Sequence, residues 1–404
     1  MLAEETVRAV NQLTGDWARI AVDKAPDGVD GGTVFSSAGV WPLLAVLAGG
    51  ANGPARGELE AAVGLAGSVS PLAQGRAVIE ALDAMDGVAA ATGLWIRQGL
   101  VPVRRAWETA LPPGVRGALT GDTEADRREL DGWAARHTAG AIDTMPVPVT
   151  PDTLLVLAGA LLLRTTWTVP FRDGWMTPDH GPWRARQLHG LYQSGKDLDG
   201  VRIAHDTPAG PLTVAEIPGD NGLTVFLLLG SEGVAGGEVL HAGVGVLAGD
   251  CETRPGSALP PGEAGPGVTV REVTSWDATP TLTIATPQFT VRARHDLLRH
   301  AGLFGLRTAM DASRGHFPGI SPVPLAVSSA QQAMTAAFTA KGFEAAAVTA
   351  FGIDASGVPM QRSMHVGACF DRPFGFLAVH RATGLVLAAG WVTDPDDIPD
   401  LSTL

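Results

Sequence analysis

Val7, Val10, Leu13, Trp17 and Ile20 recur three or four positions apart, which predicts that the chain opens with an amphipathic helix turned toward a core. A second helix is expected near 41–47, stopped by Gly49 and Gly50. A third is expected over 55–63, where Pro54 suits a first turn that has no use for its missing N–H. The stretch 123–145 is polar and reads as helix until the run 140–146 breaks it. Residues 154–163 are almost wholly apolar, a signature shared by a buried strand and a short buried helix, and periodicity leaves both open.

Strand character dominates after residue 220. The stretches 223–229, 281–284 and 289–291 are rich in β-branched and aromatic side chains. Residues 254–268, RPGSALPPGEAGPGV, predict an exposed Pro/Gly-rich loop. The sequence FGFLAVHRATGLVLAAGWV at 374–392 reads as two strands around a turn at 381–384, followed by an acidic tail. There is no long internal repeat and no second compositional regime, so 1–404 is expected to form a single interdigitated domain.

Composition narrows the function. Of 404 residues, 45% are hydrophobic and 18% charged, enough for a sizeable core and unlike a disordered chain. Twenty-nine Lys and Arg against 42 Asp and Glu leave a net charge of −13, which argues against nucleic acid as a partner. The apolar stretches 41–49 and 153–164 are too short for a membrane span, so no membrane association is expected. The opening MLAEETVRAV lacks the layout of a secretion signal. The protein is expected in the cytoplasm if this N-terminus is native, and outside the cell if it is processed or exported by another route. Cys251 and Cys369 are too few for a disulfide-built scaffold; one bridge or two buried thiols are both open.

The motifs of common catalytic sites are missing: no GxSxG elbow, HExxH, P-loop or GxGxxG occurs. His295 and His300 are five apart, a spacing that does not align two ligands on one helical face, and His205–Asp206 has no nucleophile beside it. No catalytic residue, metal or cofactor is expected, and an enzyme is the weakest function class.

One segment asks for its own explanation. KGFEAAAVTA at 341–350, followed by FGIDASGVPMQRSMHVG, separates two stretches of core character, and its first part is small and uncharged apart from Glu344. Such a composition suits an Ala-rich helix or long loop. It also suits a segment kept small-sided so that it can slip between strands without overpacking them.

The surroundings of that segment resemble the serpin family. FSSAG at 35–39, LAGGANGPARGEL at 47–59, DGWAARHTAGAI at 131–142 and GALLLRTTW at 159–167 resemble family motifs in family order. So do LLRHAGLFGLRTAMDASRGHFPGIS at 297–321 and RPFGFLAVHRATGLVLAAGWVTDP at 372–395, while KGFEAAAVTA is similar to the reactive-loop hinge. The resemblance implies an α+β fold of three β-sheets and about nine helices, with an exposed reactive-centre loop at 342–364. It implies a monomeric inhibitor of serine endopeptidases that acts as a suicide substrate. The protease cleaves the loop, and the freed hinge inserts into the central sheet before the acyl-enzyme is released. A non-inhibitory serpin-like binding or structural protein is the alternative.

Carried over residue by residue, the resemblance places the hinge at Gly342, Phe343, Glu344, Ala345, Ala346, Ala347, Val348 and Thr349. Counting forward from Gly342 puts the reactive bond at Ser356–Gly357, suited to elastase-like or subtilisin-like proteases. Counting back from Pro373 gives Arg362–Ser363, suited to trypsin-like ones; the hinge count is preferred because sheet depth limits the inserted length. A period-two strand turns Phe343, Ala345, Ala347 and Thr349 inward. Phe343 stands where the family has Thr or Ser, so it is expected to stay mobile and partly solvated in the native loop and to obstruct insertion. Ala340 stands for a usual Glu. Where the central sheet opens, Ser36 is retained, Ser37 and Gly39 replace Pro and Ser, and Gly159 and Gln332 stand for Asn and His. The gating network is therefore either rebuilt, with Gln332 bridging strands, or replaced by plain packing.

Overall fold

The computed structural model describes residues 2–22, 32–65, 69–275, 278–343 and 361–398. The opening stripe forms the helix Glu4–Ala21, with Val7, Val10, Leu13 and Trp17 buried. Ser36 caps the next helix, Ser37–Gly50, by accepting a hydrogen bond from the Gly39 N–H at 3.0 Å. Pro54 sits in the first turn of Gly53–Val63, and Gly64 closes that helix in the left-handed region at φ 68°. The polar stretch is the helix Thr123–His137, capped by Asp122.

Among the described residues there are seven α-helices, one of them the four-residue Arg105–Glu108, and four short 3-10 turns. That is fewer than the nine expected. Part of the difference lies at 297–310, where only the 3-10 turns Leu297–His300 and Thr308–Met310 form, separated by Gly302 and by Gly305 at φ 65°.

Three sheets carry the rest. The central one runs Arg116–Leu119, Val88–Arg97, Leu155–Leu163, Val327–Phe338, Gly342–Phe343 and Thr165–Thr166, with Phe289–Asp296 also paired to Val327–Phe338. The second has seven strands, among them the C-terminal hairpin Phe374–His380 and Leu385–Val392. The third orders Gly262–Gly265, Val268–Ser275, Gln361–Cys369, Thr281–Pro287, Leu188–Gly195 and Arg172–Met176.

The apolar run near 154–163 is the strand Leu155–Leu163, buried at every position. Leu155, Leu157, Leu161 and Leu163 join the main core, while Val156, Ala158 and Ala160 join a smaller cluster with Trp133 of the helix Thr123–His137. A strand covered on both faces needs apolar residues on both, so the period-two signal disappears from the sequence. The main core takes in residues from Val7 to Val392.

The Pro/Gly-rich stretch 254–268 is mostly exposed but not a bare loop. It contributes to the edge strands Thr253–Pro255 and Gly262–Gly265, which belong to different sheets. Cys251 and Cys369 are both free thiols.

Candidate functional site

After Phe338 the chain turns through Thr339–Lys341 and comes back as the two-residue strand Gly342–Phe343. It lies between Val327–Phe338, through the pair Phe338–Phe343, and Thr165–Thr166. The turn is fastened from both sides. Thr339 donates from its N–H and its hydroxyl to the Gly342 carbonyl, at 2.9 and 3.1 Å. The Trp167 indole donates to the Thr339 carbonyl at 2.9 Å, and its ring lies 4.7 Å from Phe338. The Trp167 and Phe171 N–H groups donate to the Lys341 and Ala340 carbonyls. A side chain on Gly342 would run into the Thr165 carbonyl oxygen, its Cβ only 2.2 Å away, so this position requires glycine.

Phe343 corrects the sequence expectation. Its side chain is 3% exposed rather than mobile and solvated, and its ring meets Phe376 edge-on at 5.8 Å. The cause is local: pairing on both edges fixes the backbone, and the ring is seated against Phe376. At the two ends of the proposed loop, 342–364, Gly342–Phe343 and Gln361–Cys369 are strands. Glu344, Ala345, Ala346, Ala347, Val348, Thr349, Ser356 and Gly357 lie outside the described residues.

The alternative bond, Arg362–Ser363, lies inside a sheet. Arg362 pairs with Thr274 and Ser363 with Val273, and the Ser363 hydroxyl donates to the Thr279 carbonyl at 2.6 Å. Ser363 is buried, while Arg362 reaches outward to Glu272 at 3.3 Å. A protease needs an extended segment with a free backbone, and this one is engaged. The two counts, from Gly342 and from Pro373, differ by six residues, and the residues of the second lie within the pairing of Gln361–Cys369 with Val268–Ser275.

At the middle of the central sheet, Gln332 lies beside Gly159 in the parallel pairing of Val327–Phe338 with Leu155–Leu163. The Gln332 amide donates to the Ser36 carbonyl at 2.8 Å and accepts from the Ser36 N–H at 2.8 Å. The Ser36 hydroxyl donates to the Leu387 carbonyl of the second sheet at 2.5 Å. The network is thus rebuilt, but it joins a strand to a helix cap rather than strand to strand. Gly159 supplies clearance, since a Cβ there would stand 3.3 Å from the Gly39 carbonyl.

Sequence reading missed one member. His295 pairs with Gln332 from the neighbouring strand, and its Nε2 lies 3.0 Å from the Val34 carbonyl, between Trp17 and Phe35. Burial holds its pKa down at about 4, so the ring is neutral and Nε2–H donates. Only the long-range pairing reveals this role; in the sequence the residue invites comparison with His300 alone.

Among the described residues no group of three or more His, Cys, Asp or Glu is placed to hold a metal ion. The arrangement is structural: a two-residue strand, Gly342–Phe343, seated at one end of the sheet, and a buried polar ring between Gln332 and Ser36 halfway along it.

Comparison with known proteins bears on the family and the fold. The family model for serpins (serine protease inhibitor) matches residues 10–180 and 267–395. The rice (Oryza sativa subsp. japonica) protein designated serpin-Z6C is 26% identical, with 96% of this chain and 95% of that one aligned. Human thyroxine-binding globulin, complexed with thyroxine, superposes with a TM-score of 0.72 at 16% identity over 98% of this chain and 100% of that one. Serpin48 of the insect Tenebrio molitor, a highly specific serpin, does so with a TM-score of 0.72 at 17% identity, again over 98% and 100%.

Proposed function

The chain belongs to the serpin family, and on that premise we propose that it inhibits serine endopeptidases as a suicide substrate. The observation that carries this reading is the hinge. Gly342 and Phe343 already occupy the position of an additional strand, between Val327–Phe338 and Thr165–Thr166. Further along, Val327–Met334 and Leu155–Leu161 are paired directly with each other. Cleavage beyond the hinge would free the small-sided segment to separate that pair and extend the strand that Gly342 and Phe343 begin. Each inserted residue would exchange water for sheet hydrogen bonds and apolar neighbours. The intact form is then held by a barrier rather than by equilibrium stability.

The favoured reactive bond is Ser356–Gly357, since Arg362–Ser363 is engaged in the third sheet. Its small serine points to elastase-like or subtilisin-like targets. The test is incubation with elastase-like, subtilisin-like and trypsin-like proteases. An SDS-stable complex, a released peptide beginning at Gly357 and a large rise in melting temperature after cleavage are the expected results. Cleavage with neither complex nor stabilisation would reject the reading.

One observation favours the second reading, a non-inhibitory serpin used for binding. Phe343 is bulky and buried against Phe376, which could hold the hinge where it is instead of releasing it. The same experiment separates the two.

A further inference from the structure

A cavity of about 770 Å³ opens on one face of the third sheet, a volume within the range of small-molecule sites. Its floor is kept low by residue choice. Gly367 sits between Thr269 and Thr283 on the flanking strands, and a Cβ there would touch only the His365 ring and the Thr269 hydroxyl, at 3.4 and 3.5 Å. Ala285 pairs with Cys369 to extend the shallow floor. Pro211, Ala264 and Pro266 supply apolar wall.

The charge in this cavity is unevenly balanced. Arg372 is satisfied by Asp371 at 3.1 Å and by the Gly230 carbonyl at 3.0 Å. Arg271 has no ion pair among the described residues, and its neighbour Glu272 engages Arg362 instead. Across the strand pair Arg271 faces His365, whose pKa is lowered by burial and then by the Arg271 charge. Glu232 and Glu263 line the cavity but are exposed to solvent and engage no cation among the described residues. Arg271 is itself exposed, and with Glu232 and Glu263 in the same lining the cavity as a whole is not positive; what it offers an anion is one guanidinium without an ion pair beside an imidazole, over a flat floor of small residues.

We propose that this cavity binds a small organic anion, a flat apolar body with one acid group set between Arg271 and His365. The flat body would lie over Gly367 and Ala285, where any larger side chain would displace it. Its acid group would supply the countercharge that Arg271 lacks, and His365, whose Nε2 takes the Thr283 hydroxyl at 3.1 Å, would offer a second donor through Nδ1–H.

The probe is 8-anilinonaphthalene-1-sulfonate, titrated into the full chain and followed by fluorescence at constant ionic strength. Saturable binding to one site is expected. Arg271→Glu, a change at an exposed position, should weaken it at least tenfold, and Gly367→Val should abolish it by filling the floor. Arg136→Glu, on the distant helix Thr123–His137, should leave it unchanged. Non-saturable binding, or equal affinity in wild type and Arg271→Glu, would overturn the proposal. If Gly367→Val does not fold, the Arg271→Glu comparison decides alone.

Discussion

Gln332 and Ser36 close a two-bond ring, the amide oxygen taking the Ser36 N–H and the amide nitrogen giving to the Ser36 carbonyl, both at 2.8 Å. Both residues are fully buried, and they are 296 positions apart in sequence. A carboxamide is suited to this role because it presents one donor and one acceptor side by side, matching a single residue's backbone pair. The ring fixes the cap of the helix Ser37–Gly50 to the middle of the central sheet, where strand separation would have to pass.

Gln332→Leu keeps the approximate volume and removes both bonds. It leaves the buried Ser36 N–H unpaired, at a cost of about 1–3 kcal/mol, while the Ser36 carbonyl keeps the first bond of the helix it caps. The urea midpoint of the intact protein should fall accordingly. An unchanged midpoint would mean that packing alone holds the cap.

Gly159→Val tests the clearance beneath that cap. Its Cβ would approach the Gly39 carbonyl at 3.3 Å, and the branched methyls would have to find room near the Gln332 amide. Overpacking of this kind typically costs about 1–3 kcal/mol. The comparison is the melting curve of Gly159→Ala against Gly159→Val; equal values would show that the helix can retreat freely.

His295 adds a pH dependence with a definite sign. Its folded pKa of about 4 lies below the ordinary 6.5, so between these values the unfolded chain binds more protons. The stability associated with a neutral His295 is therefore complete above pH 6.5 and declines as pH falls toward 4. The slope for one group approaches about 1.4 kcal/mol per pH unit. His295→Gln should flatten the wild-type curve of urea midpoint against pH over that window. Parallel curves would show that His295 is not responsible.

Local patterns make several elements legible in the sequence alone. The stripe from Val7 to Trp17, Pro54 at a first turn and the C-terminal hairpin each carry their signal within a few residues. The strand Leu155–Leu163 was ambiguous because both its faces are covered, which erases alternation. At the candidate site, Ser36 and Gln332 could be named from family motifs, but their mutual bonds could not. Nothing near His295 in sequence announces that it stands beside Gln332. Phe343 was read as a solvated obstruction because a loop residue was judged without its two strand partners. The pairing that engages Arg362 and Ser363 is equally invisible locally, since it comes from residues about ninety positions away.

The last prediction concerns Phe343 as an anchor. Its ring is buried in the intact protein, against Phe376, while its backbone pairs with Phe338 and Thr165. Insertion of the following residues would leave the ring where it is, so its bulk adds no new overpacking to the barrier. The seated pair instead sets the register in which the next residues would join the sheet. Phe343→Ala removes the ring from an aromatic site, a change that typically costs about 3–5 kcal/mol. The urea midpoint of the intact protein should drop. A hinge that has lost its anchor must find the register again after cleavage, so insertion slows while deacylation does not. A rise in the insertion barrier of about 1.4 kcal/mol makes it tenfold slower. The number of inhibitor molecules consumed per protease inactivated should then rise for Phe343→Ala. If that number falls instead, the ring obstructs insertion; if the intact midpoint is unchanged, the seating of Phe343 contributes nothing to the native state.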